Sequence, residues 1–415
     1  MLKTKRLAIY SPQLSIDPES GLGGCVSDRE TLRALADAGA TVTIPLPEGE
    51  PTGDSVEGWE FMRVQRRRSR WYYGYSWKFR RLLWQIARGN KNDVRRPWRK
   101  FNVVRVHSAH SVGWGLLGAA RRLGIPTHLE YYHHEPGGWL RNAIEAATLH
   151  RYDLITTPSV WTHNDLLRRF PRVAPERVRV VTQGIPRRTL CHIAPRRHPG
   201  VTRLRLLNVG AAIPRKNVSF LLYVVAWMQT QYPDISVVLH VVGEMTRERE
   251  AELKALARGL ELKESCVIVG RVGRVRLPEC YDGADVFVSA SVREGFGMAI
   301  GEAMTAGLPV VAFHASAVPE LVVDGETGRL VEPGDIKAFA QAVVAIAQQP
   351  EMAQRMGEAG ARRARRYTFA QKAKELMDIY WDLRGSRNDG NAPTEPAKKR
   401  ATAAPTAFHA VGPCV

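Results

Sequence analysis

The chain is 415 residues long, enough to bury a sizeable core and to form about two domains. Its 44% apolar and 24% charged residues are ordinary for a soluble globular protein. The balance of 60 Lys and Arg against 41 Asp and Glu is not ordinary. A net charge of +19 favours partners that carry negative charge: nucleic acid, anionic lipid headgroups or phosphorylated small molecules. The five cysteines, Cys25, Cys191, Cys266, Cys280 and Cys414, are widely spaced, odd in number and without a CxxC pair. That argues against a disulfide framework or a zinc site and fits a reducing compartment. The start, Met1 to Arg6, is basic, but the apolar run Leu7 to Tyr10 is too short for a signal peptide, and no apolar stretch is long enough to span a bilayer. These features predict a cytoplasmic protein, with peripheral contact on the inner face of the membrane left open.

Strand-like and helix-like patterns alternate almost throughout, which predicts an α/β chain with parallel sheets. Leu7–Tyr10 reads as a buried strand. The loop after it ends in Gly21-Leu22-Gly23-Gly24. Ser27, with Glu30 three residues on, predicts a capping box that opens a helix through Leu32 and Leu35. Gly39 stops that helix, and Thr41–Leu46 follows as a strand. Later units are similar: strand Asn102–Val106, helix Gly113–Leu123, and strands Thr127–Tyr132, Asp153–Thr157 and Val178–Val181. Between about Ile185 and Gly200 the pattern breaks into Pro, Arg and His, which places an interdomain linker at 186–202. Strands restart at Leu204–Val209 and continue through Ser236–Val242, Cys266–Val269, Val286–Ser289 and Val310–Phe313. Phe369–Leu383 has apolar and aromatic residues at helical spacing. From about Ser386 the chain is small, polar and rich in Pro, Ala and Lys, and is expected to be disordered.

One segment stands apart. Arg63 to Lys100 holds 14 Arg or Lys against a single acid, Asp93, together with Trp71, Tyr72, Tyr73, Tyr75, Trp77, Phe79, Trp84 and Trp98. So many aromatics are foreign to a plain solvated loop. Two readings compete: an interfacial segment with Trp and Tyr at headgroup level and Arg on acidic lipid, or contact with nucleic acid through phosphates and stacking.

Two motifs carry chemistry. In Arg293-Glu294-Gly295-Phe296-Gly297-Met298-Ala299-Ile300-Gly301-Glu302-Ala303, two glutamates eight positions apart straddle a strand-to-helix turn. Glu294 falls in the turn and Glu302 about one turn into the helix, which Gly307 stops. The glycines allow the backbone to approach a ligand closely. The N–H groups of Met298 and Ala299 are placed to face a phosphate at the helix N-terminus. The second motif, Val209-Gly210 followed by Pro214-Arg215-Lys216-Asn217, lies after the first strand of the second domain. Cations at a helix start oppose the helix dipole, so a bound anion is the better explanation of them than a solvated turn. Arg supplies a planar fork of donors and Lys a point charge, a pairing that suits a diphosphate.

With these residues in that order, the chain resembles the retaining glycosyltransferases of the GT-B fold, family four. The signatures are the Glu-x7-Glu motif with its internal Glu-Gly-Phe-Gly, the Arg-Lys pair, and the Gly-rich first loop. Thr157-Pro158-Ser159, Ala284-Asp285-Val286-Phe287-Val288, Gly307-Leu308-Pro309-Val310-Val311-Ala312, Val318-Pro319-Glu320-Leu321 and Asp324-Gly325-Glu326-Thr327-Gly328 extend the match. The resemblance covers the C-terminal domain nearly end to end and the N-terminal one loosely.

The resemblance implies two Rossmann-like doubly wound domains facing across a cleft: an acceptor domain at 1–185 with a basic aromatic insertion at 62–100, and a nucleotide-sugar-binding domain at 203–365. It further implies a helix at 366–384 returning to the first domain. The tail, 385–415, is expected to be disordered. By the same resemblance Glu294 contacts the donor sugar, Glu302 the ribose hydroxyls, and Arg215 and Lys216 the donor diphosphate as it leaves. Gly23 and Gly24 bring the first loop over the phosphates or acceptor, and Gly210 borders the donor. Gly295, Phe296, Gly297, Met298 and Ala299 line its loop. Arg271 and Val272 lie where the family's backbone contacts the base. In Tyr131-Tyr132-His133-His134-Glu135-Pro136, His133 is assigned to the transferred sugar, although His134 stands beside it.

The expected reaction moves a sugar from a UDP- or GDP-sugar to a glycan, lipid-linked or small-molecule acceptor with retention. Expected alternatives are a sugar-nucleotide epimerase of the same architecture and a non-catalytic protein that binds membrane or nucleic acid. No DxD-type metal site stands beside a strand, and no metal or other cofactor is expected. His107, His110, His133, His134 and Glu135 read as strand-end residues rather than metal ligands. Given a transferase body, the basic segment is assigned to an anionic membrane surface or lipid-linked acceptor rather than to nucleic acid.

Overall fold

A computed structural model describes residues 7–11, 23–47, 57–64, 100–107, 112–132, 139–186 and 203–388. The first half runs β1 (Ala8–Tyr10), α1 (Gly23–Asp37), β2 (Thr41–Pro47), β3 (Trp59–Val64), β4 (Val103–Val106), α2 (Val112–Leu123), β5 (Thr127–Glu130), α3 (Trp139–Thr148), β6 (Leu154–Thr157), α4 (Val160–Arg169) and β7 (Val178–Val180). The second runs β8 (Arg203–Val209), α5 (Val218–Gln231), β9 (Ser236–Val242), α6 (Arg247–Gly259), β10 (Cys266–Gly270), α7 (Leu277–Asp282), β11 (Val286–Ser289) and α8 (Met298–Thr305). It ends with β12 (Val310–Phe313), α9 (Val318–Leu321), β13 (Gly328–Val331), α10 (Ile336–Gln348), α11 (Pro350–Ala364) and α12 (Phe369–Asn388).

The strands form two parallel sheets, ordered β3-β2-β1-β4-β5-β6-β7 and β10-β9-β8-β11-β12-β13. Each is doubly wound, and the order reverses between β1 and β4 and again between β8 and β11. The carboxyl ends of the strands at such a reversal are where open α/β sheets bind ligands. The local sequence explains the layering. Val-Phe-Val-Ser in β11 and Val-Val-Ala-Phe in β12 are buried at every position, as parallel strands covered by helices on both faces require. Asp285, just before β11, locks the neighbouring strand by accepting from the Arg205 backbone N–H at 2.7 Å and its guanidinium at 2.9 Å.

The two passages of the chain between halves lie side by side. Ile185 N–H donates to the Tyr367 carbonyl at 2.9 Å, and a Cβ on Gly184 would collide with Phe369. Beyond that crossing α12 returns to the first half. Its Ala373, Leu376 and Tyr380 complete the cluster of Leu32, Leu35 and Ile9. One buried leucine of that kind contributes roughly 1.5–3 kcal/mol. No helix among the described residues is long and apolar enough to cross a membrane.

Four sequence expectations are corrected. The helix after β1 starts at Gly23, so Ser27 lies inside it and is no cap. Its hydroxyl instead donates to Gln183 at 2.5 Å, while Glu30 sits 3.7 Å from Arg29. Gly23 and Gly24 therefore open a helix rather than end a loop. Residues 59–64 form β3, which extends the sheet beside β2; the basic insertion thus begins after Val64 rather than at Met62. At its other end Lys100 pairs with Glu60 at 2.7 Å. The last helix runs to Asn388, past the point where disorder was expected. The remainder of the basic segment (65–99), the linker at 187–202, the tail at 389–415, and His110, His133, His134 and Glu135 lie outside the described residues.

Candidate active site

The site is built at the reversal in the second sheet, from the loops that leave β8 and β11. After Val209 the chain turns at Gly210, whose φ of 147° is open only to glycine. Its carbonyl meets Gly243 after β9 so closely that a Cβ on Gly243 would collide with it. The loop then tightens into a 3-10 turn, Pro214–Lys216. Asn217, left-handed at φ 49°, starts α5; Asn tolerates that region better than most residues.

This turn aims two cations at Glu294. Lys216 Nζ donates to Glu294 Oε1. Arg215 Nη1 lies 3.6 Å from Glu294 Oε2 and donates to the Arg293 carbonyl at 3.2 Å. The Val292 N–H returns a bond to the Arg215 carbonyl at 2.9 Å, which fixes the loops together. Arg215 Nε is buried with no partner among the described residues. The two motifs singled out in the sequence, 78 residues apart, are thus one cluster.

Burial pushes the Glu294 carboxyl upward, but the charges of Lys216 and Arg215, with hydrogen bonds from Lys216 and Ser291, outweigh it and hold the group below the usual carboxylate range. Glu302 is buried as well. Its carboxylate accepts from the Tyr281 hydroxyl at 2.8 Å, and Tyr281 is itself fully buried. Here burial prevails over Tyr281 and the Arg274 charge, and the carboxyl titrates above its ordinary range.

Between the glutamates, Gly297 at φ 94° forms the left-handed entry to α8, and no side chain caps that helix. Met298 and Ala299, half-buried, occupy its first turn. Phe296 turns its ring into the core, edge-on to Tyr367 at 5.4 Å. The close approach that Gly295 permits is to the opposite half of the chain, where the sequence suggested a ligand: a Cβ there would strike the Tyr132 carbonyl. Arg271 and Val272 follow β10 directly. Arg271 is exposed, and Val272 packs against the cluster that includes Phe296 and Ile300.

The facing ends of the first sheet hold a group that sequence reading missed. Arg105, fully buried in β4, donates to Asp28 of α1 at 2.7 Å, to Ser11 at 3.1 Å and to Glu130 of β5. His107 bridges the same acids, 2.6 Å from Asp28 and 3.2 Å from Glu130. Lys372 of α12 reaches Glu130 at 2.7 Å and Gln183 at 2.8 Å. The Tyr132 hydroxyl donates to Glu130 at 3.0 Å, and its ring stacks on His107.

Burying an unpaired charge costs several kcal/mol, so two acids need two cations. Arg105 and Lys372 supply them. Burial raises Glu130, yet the charges of Arg105 and Lys372 bring it well below the carboxylate range. Burial lowers His107, yet Asp28 carries it above its ordinary value. Asp28, His107 and Glu130 are close enough together to ligate an ion, but two fixed cations already hold both carboxylates. The group is a buried ionic network that fixes Tyr132, next in sequence to His133. A sequence signal existed: Arg105 and Glu130 are charges inside short strands that burial covers on both faces.

Comparison with known proteins agrees with this fold. The family model of group 1 glycosyl transferases matches residues 196–363, and that of glycosyltransferase family 4 matches residues 28–188. The chain is 30% identical over 309 residues to the alpha-maltose-1-phosphate synthase of Mycolicibacterium smegmatis, covering 65% of this chain and 78% of that one. Its fold is similar to that of sucrose-phosphate synthase from Thermosynechococcus elongatus, with a TM-score of 0.75 at 21% identity over 92% of this chain and 100% of the other. It is also similar to that of Anabaena HepE, solved in complex with UDP and glucose, with a TM-score of 0.68 at 16% identity over 90% and 99%. The chain therefore belongs to glycosyltransferase family four, has the GT-B architecture, and is a glycosyltransferase.

Proposed function

We propose that the enzyme moves a sugar from a UDP- or GDP-sugar to a glycan, lipid-linked or small-molecule acceptor, with retention at the anomeric carbon and without a metal ion. The observation that carries this reading is the convergence of Arg215 and Lys216 on Glu294 beside the uncapped start of α8. A diphosphate placed there exchanges carboxylate for phosphate as the partner of both cations, and the helix N-terminus adds its own attraction for negative charge. Anabaena HepE, a protein of the same fold, was solved with UDP and glucose, which supports a nucleotide-sugar donor.

In this reading Arg215 and Lys216 stabilise the departing diphosphate as oxocarbenium character builds, which is where fixed charges lower a barrier most. They also provide the neutralisation that a divalent ion gives elsewhere. Glu294 and His133 hold the transferred sugar, and Glu302 the ribose hydroxyls. Residues 65–100, with their 13 cations and eight aromatics, are assigned to an anionic membrane surface near the acceptor.

The test is a thermal-shift screen against UDP, GDP, ADP and CMP, alone and as sugar conjugates. A ligand that binds only the folded chain raises its midpoint as RT ln(1 + [L]/Kd). A shift with UDP or GDP, lost in the Arg215→Ala and Lys216→Ala double variant, is the expected result. No shift with any of them counts against the donor site. Turnover abolished by EDTA and restored by Mg²⁺ would overturn the metal-free reading.

A further inference from the structure

We propose that Glu320 and Thr162 are positioning residues that latch the two halves together and thereby hold Glu294 in place for transfer; the transfer itself rests on the function proposed above. Glu320 belongs to α9, in the second half. Its carboxylate reaches the first half and accepts from the backbone N–H groups of Val160 at 2.9 Å and Trp161 at 2.7 Å. These are the first two donors of α4. Ser159 Oγ takes the next, Thr162 N–H, at 3.1 Å. The opening donors of a helix have no partner within it, and here the opposite half supplies partners for two of them. A carboxylate at that end also interacts favourably with the helix dipole.

A second contact lies on Gly295, next to Glu294. The buried Thr162 hydroxyl donates to the Gly295 carbonyl at 3.2 Å, and the Tyr132 carbonyl stands where a Cβ on Gly295 would be. A third feature joins Glu320 to Glu294 itself. The turn leading into α9 holds the Glu294 backbone on both sides: Glu294 N–H donates to Ser316 Oγ at 2.8 Å, and Ala317 N–H donates to the Glu294 carbonyl at 3.3 Å. Ser316 is left-handed at φ 53°, a conformation that a non-glycine residue keeps only where its surroundings fix it. Arg363 of α11 braces the far end of α9 through the carbonyls of Glu320 and Leu321, each at 2.8 Å.

Two continuous paths therefore run from the start of α4 to the Glu294 loop, one through Glu320 and the Ser316–Ala317 turn and one through Thr162 and Gly295. Parting the halves breaks both. Closure of the chain and the setting of Glu294 are one event, and the carboxylate that couples them is outside the donor site.

The experiment pairs steady-state kinetics with small-angle scattering of the full chain. Glu320→Ala is expected to lower kcat about tenfold, to leave UDP or GDP affinity within about twofold, and to enlarge the radius of gyration. The split arises because Arg215 and Lys216 stay together in the second half. Thr162→Val is expected to follow Glu320→Ala, and Thr162→Ser to restore both readouts. Scattering of Glu320→Ala identical to the parent overturns the latch, whatever its activity; so does a Thr162→Ser variant as impaired as Thr162→Val. If the parent transfers no sugar from any donor, the functional reading fails and scattering alone decides the latch. Should Glu320→Ala not fold, Glu320→Gln, which keeps the shape and loses the charge, is expected to give an intermediate radius; a parental radius overturns the proposal.

Discussion

Glu294 and Glu302 stand eight residues apart across one turn into α8, and both are buried, yet their surroundings drive them in opposite directions. Burial alone raises any carboxyl. At Glu294 the facing loop from β8 brings Lys216 and Arg215, and charge overcomes burial. At Glu302 the facing group is the neutral Tyr281 hydroxyl of α7, and burial wins. The element opposite each acid, not the motif that contains both, decides its character. One is an ionised group whose cations can exchange it for an anionic ligand. The other is held toward its neutral form and is suited to hydrogen bonds with hydroxyls. Two carboxyls forced apart in this way mark two roles.

The comparison is broken most directly by removing the first charge. In the proposed reading Glu294→Gln reduces kcat by about 10²–10³-fold, because the carboxylate that holds the sugar also faces the positive charge that builds on it. UDP or GDP binding should persist or tighten, since Lys216 and Arg215 lose their competitor. Steady-state rates with a thermal-shift titration check this, and parental turnover would erase the distinction between the two acids. Lys216→Ala tests the same pair from the other side. It leaves Glu294 buried with Arg215 alone at 3.6 Å, and unfolding in urea should show a loss of about 3 kcal/mol at neutral pH.

Stability against pH sharpens the contrast because the signs differ. Glu294 titrates low in the folded chain, so its contribution is complete above the ordinary glutamate value and disappears as pH falls through the folded value. Glu302 titrates high, so its contribution is complete below the ordinary value and is lost as pH rises through the folded one. Glu302→Gln keeps an acceptor for Tyr281 and removes that loss. Its midpoint near neutral pH should exceed the parent's by about 2–4 °C, the shift expected for about 1 kcal/mol, and the gain should vanish in acid. Melting curves from roughly pH 4 to 8 decide it. A Glu302→Gln midpoint that falls at neutral pH would mean the acid is held ionised after all.

Much of this geometry was readable in advance. The apolar runs of β9, β11 and β12 give their own limits, because a parallel strand buried on both faces is bounded by the first residue that must leave the core. The Arg215-Lys216 turn and the Glu294 loop were each visible as special pieces, since their charges and glycines break the local pattern, and the structure brings them together. What was not readable is whatever depends on residues distant in the chain. Ser27 carried a proper capping signal, but Gln183 claims its hydroxyl. Gly295 looked like room for a ligand, and Tyr132 fills that room. Lys372 gave no sign that it would be buried, because its partner Glu130 is 242 positions away on β5 and their pairing depends on where α12 docks. Local rules describe elements; the partners of buried polar atoms are set by packing.

The smallest effect tests the Glu302 side alone. Tyr281→Phe deletes one hydroxyl and leaves the ring, which stacks on Phe287 at 6.1 Å, in place. Losing one hydrogen bond to a buried acceptor costs about 1–3 kcal/mol if the acceptor stays charged. Glu302 can avoid that cost by taking a proton, because burial already favours its neutral form. The variant should therefore lose about 1 kcal/mol or less in acid and more at neutral pH. In the proposed reading its KM for the donor should rise only a few-fold, with kcat nearly unchanged, because the carboxyl stays in place to meet the ribose and only its orientation is freed. A loss that is the same at every pH would show that Tyr281 serves packing, and that the hydroxyl does not determine how Glu302 is presented.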